Sequence, residues 1–147
     1  MFKIHSELLK GWTVLVVDDE PDALILARLL LERCGAKVIT ASNGQEGFEL
    51  IEKHHPSFIL SDLSMPVLDG WGMNELVQKS PHLQHIPIIA FTAHAMIKDR
   101  ERALAEGFHN YISKPLIPKT FIQNILRLLI DVPNLYEQLA QSLEEDK

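Results

Sequence analysis

The fold is decided by residues 13–21, whose sequence is TVLVVDDEP. The first five residues form a continuous apolar run, which is typical of a strand buried on both faces of a sheet. Pro21 then suits the first position of a helix, and apolar residues continue from Ala23 to Leu31. Gly35 is suited to end that helix. The stretch therefore predicts a strand, a loop that carries two acidic residues, and a helix.

The same alternation of strand and helix recurs along the rest of the chain. Further apolar runs cover residues 37–41, 58–60, 86–91 and 109–112. Helical patterns follow these runs at about residues 45–53, 70–79, 95–106 and 118–130. Strands that alternate with helices through short connections form a parallel sheet with helices on both faces. We therefore predict an α/β fold, a doubly wound (βα)5 sandwich.

Length and composition limit the class of protein. The chain has 147 residues, 46% of them apolar, which fits one globular domain. Its formal net charge of −6 argues against a nucleic-acid partner, because phosphate backbones attract basic surfaces. The single cysteine, Cys34, cannot form an internal disulfide, and no apolar stretch approaches the roughly twenty residues of a membrane span. We expect a cytoplasmic protein without membrane insertion.

We predict three segments along the chain. Residues 1–11 form an N-terminal extension, residues 12–130 form the folded domain, and residues 131–147 form an acidic C-terminal helix or tail. The tail has apolar residues at helical spacing, so it either packs on the domain or frays, or it leads into a dimer or docking site. It is too short for an output domain, and the sequence leaves open whether the chain is part of a longer protein.

Polar residues follow the predicted strands at their carboxyl ends. Asp18 and Asp19 follow the first strand, Asp62 follows the third and Thr92 the fourth, and Lys114 lies two residues beyond the fifth. In an open parallel sheet these ends lie at one edge, and ligands bind where the strand order reverses. We therefore expect three carboxylates, one hydroxyl and one amine to converge.

This set of side chains suits phosphoryl transfer. Adjacent carboxylates repel one another, and Mg²⁺ would relieve the repulsion because it takes one or two carboxylates together with water and a phosphate oxygen. The Lys114 amine would meet an incoming phosphoryl group, and Thr92 would donate a hydrogen bond to it. An aspartate can itself become an acyl phosphate. Each residue alone is more often a cap, turn or surface residue, so the prediction depends on their joint placement.

The sequence resembles the receiver domains of bacterial two-component response regulators. The resemblance covers about residues 12–130 and is carried by VLVVDDEP at 14–21, ILSDLSMPVLDG at 59–70, FTAHA at 91–95 and YISKP at 111–115. It implies a flavodoxin-like fold with a five-stranded parallel sheet of order 2-1-3-4-5. The strand order then reverses between the first and third strands, beside Asp18, Asp19 and Asp62.

The resemblance also implies a role for each site residue. Asp62 matches the phosphoacceptor, and Lys114 matches the lysine that binds the phosphoryl group. Asp18 and Asp19 match, together with Asp62, the acids that bind Mg²⁺ or Mn²⁺. The backbone carbonyl of Ser64 matches a further metal ligand. The bond between Lys114 and the proline after it is usually cis in this family.

Thr92 and Tyr111 match the switch pair of the family. On phosphorylation the Thr92 hydroxyl is drawn to the phosphoryl group, and the Tyr111 ring turns inward into the space that is vacated. This movement repacks the face formed by the fourth helix, the fifth strand and the fifth helix. Ser64 and His94 match variable positions that tune the lifetime of the phosphoryl group.

The implied function is that of a signalling switch of the single-domain chemotaxis or cell-division type. A histidine kinase or histidine phosphotransfer protein donates the phosphoryl group, a downstream protein binds the repacked face, and a homodimer on phosphorylation is compatible with the resemblance. Such a chain is not a classical enzyme, although it assists its own phosphorylation and dephosphorylation.

Two other functions remain as alternatives. A metal-dependent phosphohydrolase that works through an aspartyl-phosphate is disfavoured, because such enzymes use a spaced D-x-D pair whereas Asp18 and Asp19 are adjacent. A pseudo-receiver that binds partners without phosphorylation is disfavoured by the intact acids, Thr92 and Lys114.

Overall fold

The computed structural model describes residues 6–93 and 96–132 and the separate positions 137 and 140. Strands and helices alternate through these residues in the predicted order. The strands are β1 (Thr13–Val17), β2 (Lys37–Ala41), β3 (Phe58–Ser61), β4 (Ile88–Thr92) and β5 (Asn110–Ser113). The helices are α1 (Pro21–Arg33), α2 (Gly44–His54), α3 (Gly70–Gln78), α4 (Ile97–Ala105) and α5 (Pro118–Leu129).

The five strands form one parallel sheet of order β2-β1-β3-β4-β5. Val14 of β1 pairs with Val38 on one side and with Phe58 on the other. β2 and β3 therefore lie on opposite sides of β1, so the strand order reverses there. A crevice opens at this point between the carboxyl ends of β1 and β3. The predicted doubly wound, flavodoxin-like fold is confirmed.

Two apolar clusters bury the two faces of the sheet. Because side chains alternate along a strand, Val14 and Val16 pack with α1 and α5, whereas Leu15 and Val17 pack with α2, α3 and α4. This burial on both faces explains why the strand sequences are continuously apolar. The polar residues at the strand ends are held by this rigid sheet.

The amino-terminal segment contributes to one of these clusters. Leu8 and Leu9 are fully buried, and the Leu9 amide donates a hydrogen bond to the Cys34 carbonyl at 2.6 Å. Gly35 ends α1 in the left-handed region, with φ of 92°, and a Cβ there would lie 3.0 Å from the Ser6 carbonyl oxygen. The described part of the extension therefore packs closely on the domain.

Several predicted boundaries differ from the structure by one or two residues. The fourth strand begins at Ile88 and not at Ile86, because Pro87 has no amide to donate and the Ile86 amide bonds to Leu83 in a turn. The fourth helix begins at Ile97, after the extended residue Met96. The predictions at Ala95 and for most of the C-terminal tail lie outside the described residues. Within the described part, no helix is long and apolar enough to cross a membrane.

Candidate functional site

The crevice at the carboxyl edge of the sheet brings predicted site residues from three strands together. Asp18 follows β1, Asp62 follows β3 and Lys114 follows β5. The Lys114 Nζ lies 2.8 Å from Asp18 Oδ2 and 2.9 Å from Asp62 Oδ2. A third carboxylate, that of Glu20, lies with its Oε1 2.9 Å from the same nitrogen. One ammonium group thus contacts three acids, although the sequence separates these residues by up to 96 positions.

Asp62 is fixed at the end of β3 by its own backbone and by the turn that follows. Its amide donates to the Val17 carbonyl at 2.9 Å, and its side chain is almost completely buried. Oδ1 accepts hydrogen bonds from the amides of Leu63 at 2.7 Å and Ser64 at 3.4 Å, whereas Oδ2 faces Lys114. The two oxygens therefore have different surroundings, and the carboxylate has one defined orientation.

Asp18 is the most buried acid of the site. It is 1% exposed, and its Oδ1 accepts a hydrogen bond from the Glu20 amide at 3.0 Å. Burial raises the pKa of Asp18, and the hydrogen bonds from Lys114 and from the Glu20 amide oppose that increase only in part. The negative charge of Asp62 raises this pKa further. A second positive charge would therefore be accommodated favourably beside Asp18.

Four acids lie close enough to share one cation. Asp18, Asp19, Glu20 and Asp62, here called the acidic cluster, each offer an oxygen within 4.8 Å of the others. Hard divalent cations prefer such carboxylate oxygens, so the donor set fits Mg²⁺. Glu20 was not among the predicted site residues, although it directly follows Asp18 and Asp19. Ser64 approaches the cluster through its amide, and the role of its carbonyl stays a prediction.

Lys114 is held as a cation among these acids. Its side chain is 11% exposed. Burial lowers the pKa of Lys114, but the hydrogen bonds to Asp18, Glu20 and Asp62 outweigh that effect and hold the pKa above its ordinary value. The peptide bond between Lys114 and Pro115 is cis, as the resemblance implied. Lys114 therefore supplies a permanent positive charge at the crevice.

The predicted switch residues lie on the two neighbouring strands. Asp62 directly follows β3 and Thr92 is the last residue of β4, so both lie at the same edge of the sheet, and Thr92 is fully buried. The Tyr111 hydroxyl on β5 is buried and has no hydrogen-bond partner among the described residues. Burial, followed by the charges of Asp99 and Asp62, raises the pKa of Tyr111. His94, the other predicted residue of this region, lies outside the described residues.

Gly70 allows the start of α3 to approach the Asp62 backbone. A Cβ at this position would lie 2.1 Å from the Asp62 carbonyl oxygen and 3.0 Å from the Leu63 Cα. We expect Gly70→Ala to lower the free energy of unfolding by about 3 kcal/mol, because backbone on both sides must move to relieve the overlap. Urea unfolding followed by circular dichroism measures this loss.

Gly72→Ala provides the matched control for this prediction. A Cβ at Gly72 would lie 2.5 Å from Leu68 Cδ1, which is the far end of a flexible side chain. Alanine also favours a helix by up to about 1 kcal/mol over glycine, so this variant should be close to the wild type in stability. Equal urea midpoints for the two variants would contradict a specific role for Gly70.

Comparison with known proteins agrees with this geometry. The family model of the response regulator receiver domain matches residues 14–126, which include the crevice and its acids. The chain belongs to the response regulator receiver domain family. It is therefore a phosphorylation-activated signalling switch, and its acidic pocket is of the kind in which receiver domains bind Mg²⁺.

Three relatives show how closely this receiver domain follows known members. It is 37% identical over 119 residues to the polar-differentiation response regulator DivK of Brucella ovis. This match covers 81% of this chain and 97% of DivK. The chemotaxis response regulator CheY4 of Vibrio cholerae superposes with a TM-score of 0.76 at 27% identity, over 80% of this chain and 98% of CheY4.

The third relative is the receiver domain of sensor histidine kinase PA1611 from Pseudomonas aeruginosa. It superposes with a TM-score of 0.73 at 28% identity, over 81% of this chain and 98% of that domain. Its crystal structure has a magnesium ion coordinated in the active site cleft.

Proposed function

We propose that this receiver domain accepts a phosphoryl group on Asp62 from a histidine kinase or a histidine phosphotransfer protein. The observation that carries the proposal is the contact of 2.9 Å between the Lys114 amine and Asp62 Oδ2, within a cluster of acids suited to a cation. The signal then passes to a downstream protein through the surface of α4, β5 and α5. We assign this role to residues 12–130, with residues 1–11 and 131–147 as flanking segments. We place the protein in the cytoplasm, and two phosphorylated copies can form a homodimer.

The acids divide into a nucleophile and its supporting ligands. Asp18, Asp19 and Asp62, with the Ser64 carbonyl, would hold Mg²⁺ or Mn²⁺, and the magnesium ion in the PA1611 receiver domain supports this assignment. Bound Mg²⁺ supplies positive charge for the phosphoryl oxygens. In the transfer step a carboxylate oxygen of Asp62 forms a bond to phosphorus. The bond from phosphorus to the donor breaks, and its electron pair leaves with the donor.

Lys114 and Thr92 would stabilise the transferred group in place. The Lys114 ammonium already lies at the acceptor carboxylate, and its charge meets the oxygens of the arriving phosphoryl group. Thr92 would donate its hydroxyl to the phosphoryl group from the end of β4. Both contacts are positioned by strand ends, which keeps them in register with Asp62.

The signalling surface would change through Thr92 and Tyr111. The Tyr111 hydroxyl lies buried between β5 and the cluster formed with α3 and α4, where burial of an unpaired hydroxyl costs about 1–3 kcal/mol. Tyr111 packs on the cluster that contains Ile88 and Ala90, which share the face of β4 with Thr92, so a shift of Thr92 towards a phosphoryl group would change the surroundings of the Tyr111 ring. Met96 and Ile97 at the start of α4 are 71% and 76% exposed, so apolar side chains are available there for a protein partner.

Incubation with acetyl phosphate and Mg²⁺ tests the proposal. We expect one adduct of about 80 Da per chain, read by intact mass spectrometry, because one carboxylate becomes an acyl phosphate and acetate leaves. A phosphohydrolase would hydrolyse many equivalents of acetyl phosphate in the same assay without a stoichiometric adduct. A pseudo-receiver would show neither adduct nor turnover, and either of these results would overturn the proposal.

A further inference from the structure

Glu20 is the member of the acidic cluster to which the proposed transfer assigns no part. It precedes Pro21 at the start of α1, in an extended conformation with φ of −94° and ψ of 111°. Its amide is tied to Asp18 Oδ1 at 3.0 Å, so its backbone is fixed beside the site. Its side chain is 64% exposed, and it reaches Lys114 from the solvent side at 2.9 Å.

We propose that Glu20 is a positioning residue for Lys114 and makes this receiver domain discriminate among small phosphodonors by their charge. The inference rests on the proposed function, since it concerns the same transfer to Asp62. The contact between Glu20 and Lys114 is the one that breaks when a phosphoryl group enters the crevice.

The number of hydrogen bonds that Lys114 can donate is limited. A lysine ammonium has three N–H donors, and the structure provides three carboxylates within 2.9 Å of it. To donate to a phosphoryl oxygen, the ammonium must give up one of these acceptors. The side chains of Asp18 and Asp62 are 2% and 8% exposed, so water cannot readily replace the lysine there. The exposed Glu20 carboxylate is the acceptor that can be released to water at the lowest cost.

Glu20 also sets the net charge of the crevice. The four acids of the acidic cluster and Lys114 together carry a formal charge of −3, and a divalent cation would reduce this to −1. Without the Glu20 charge the loaded crevice would be neutral. A phosphodonor with two negative charges is therefore repelled about twice as strongly by Glu20 as a donor with one. Glu20 thus favours donors of lower charge and also holds the lysine until the donor arrives.

Phosphorylation rates with two donors test the discrimination. Acetyl phosphate is a dianion near neutral pH and phosphoramidate a monoanion, and intact mass follows the adduct for each. Glu20→Gln retains an acceptor oxygen but removes the charge. We expect it to be about tenfold faster than wild type with acetyl phosphate and about threefold faster with phosphoramidate, with both gains reduced at high salt. Asp22 is exposed and lines the same cavity as Glu20 and Lys114, so Asp22→Asn removes a neighbouring charge but no hydrogen bond to Lys114 that is seen among the described residues. This control should change the ratio of the two rates much less than Glu20→Gln does.

The lysine contact has its own readout, which needs no phosphorylation. We expect the ammonium protons of Lys114, observed by ¹⁵N NMR, to exchange with water several times faster in Glu20→Gln than in wild type or Asp22→Asn. The inference would be overturned if Asp22→Asn changed the ratio of the two phosphorylation rates, or the proton exchange of Lys114, as much as Glu20→Gln does. It would also be overturned if Glu20→Gln changed neither quantity. If the wild type accepts no phosphoryl group from either donor, the proposed function fails, and the NMR measurement still decides the contact.

Discussion

Asp62→Asn is expected to abolish the adduct of about 80 Da that acetyl phosphate forms on the wild-type chain. An amide oxygen is a far weaker nucleophile than a carboxylate and cannot form an acyl phosphate. None of the other acids in the cluster shares the surroundings of Asp62, whose Oδ1 is held by the amides of Leu63 and Ser64 while its Oδ2 faces Lys114. Intact mass after incubation with acetyl phosphate and Mg²⁺ measures the loss.

The variant should remain folded, because the asparagine oxygen can still accept the hydrogen bond from the Leu63 amide. Circular dichroism and the melting temperature check this. Asp69→Asn is the matched control: Asp69 is exposed and caps α3 by accepting from the Gly72 amide at 2.8 Å, and asparagine caps equally well. It should form the full adduct. An undiminished adduct on Asp62→Asn would show that another residue is the acceptor.

Strand positions could be predicted closely because each strand is an apolar run that lies inside the molecule. The predicted bounds of β1 and β2 agree with the structure, since a glycine lies two residues before each run and a polar residue, Asp18 or Ser42, directly follows it. Ile86 shows the limit of this signal. It is buried like a strand residue, yet Pro87 prevents regular pairing at that point, so burial and membership of the sheet differ.

The convergence of Asp18, Asp62 and Lys114 could be predicted because the topology of a parallel sheet places strand ends together. The contact of Glu20 could not, because sequence position determines where a backbone lies and leaves the rotamer of a long, exposed side chain open. Asn74 was missed for a related reason. Asn74 is a buried residue of α3, and its side-chain amide donates a hydrogen bond to the Glu106 carbonyl, directly after α4, at 2.7 Å. The sequence pattern of one helix does not reveal such a contact with another helix.

The first residues of the chain required the structure for a different reason. Leu8 and Leu9 lie in a short segment without helical or strand periodicity, so nothing in the pattern distinguishes them from an exposed tail. Their complete burial depends on the shape of the sheet end and of α1, which are formed by distant residues. Local sequence patterns predict single helices and strands. The groove in which Leu8 and Leu9 pack is formed by several elements together, so it is seen only in the assembled fold.

Lys114→Met is expected to slow phosphorylation by acetyl phosphate about 100- to 1000-fold, because the variant loses the charge that meets the phosphoryl oxygens. Methionine keeps much of the hydrocarbon volume, so the effect reports chiefly on the ammonium. The variant also leaves Asp18, Glu20 and Asp62 without their shared counter-charge. Removing one partner of a buried ion pair costs about 3 kcal/mol or more, so we expect that loss of unfolding free energy in the absence of divalent cations.

Mg²⁺ should restore part of this lost stability, since a cation bound by the acidic cluster takes over the counter-charge, but it should not restore the rate. Urea unfolding with and without Mg²⁺ separates the two effects, and a time course of intact mass gives the rate. Lys119→Met removes an exposed lysine of α5 and should match the wild type in both measurements. A Lys114→Met variant that is phosphorylated at the wild-type rate would contradict the proposal, because the crevice would then transfer a phosphoryl group without the ammonium that contacts Asp18 and Asp62.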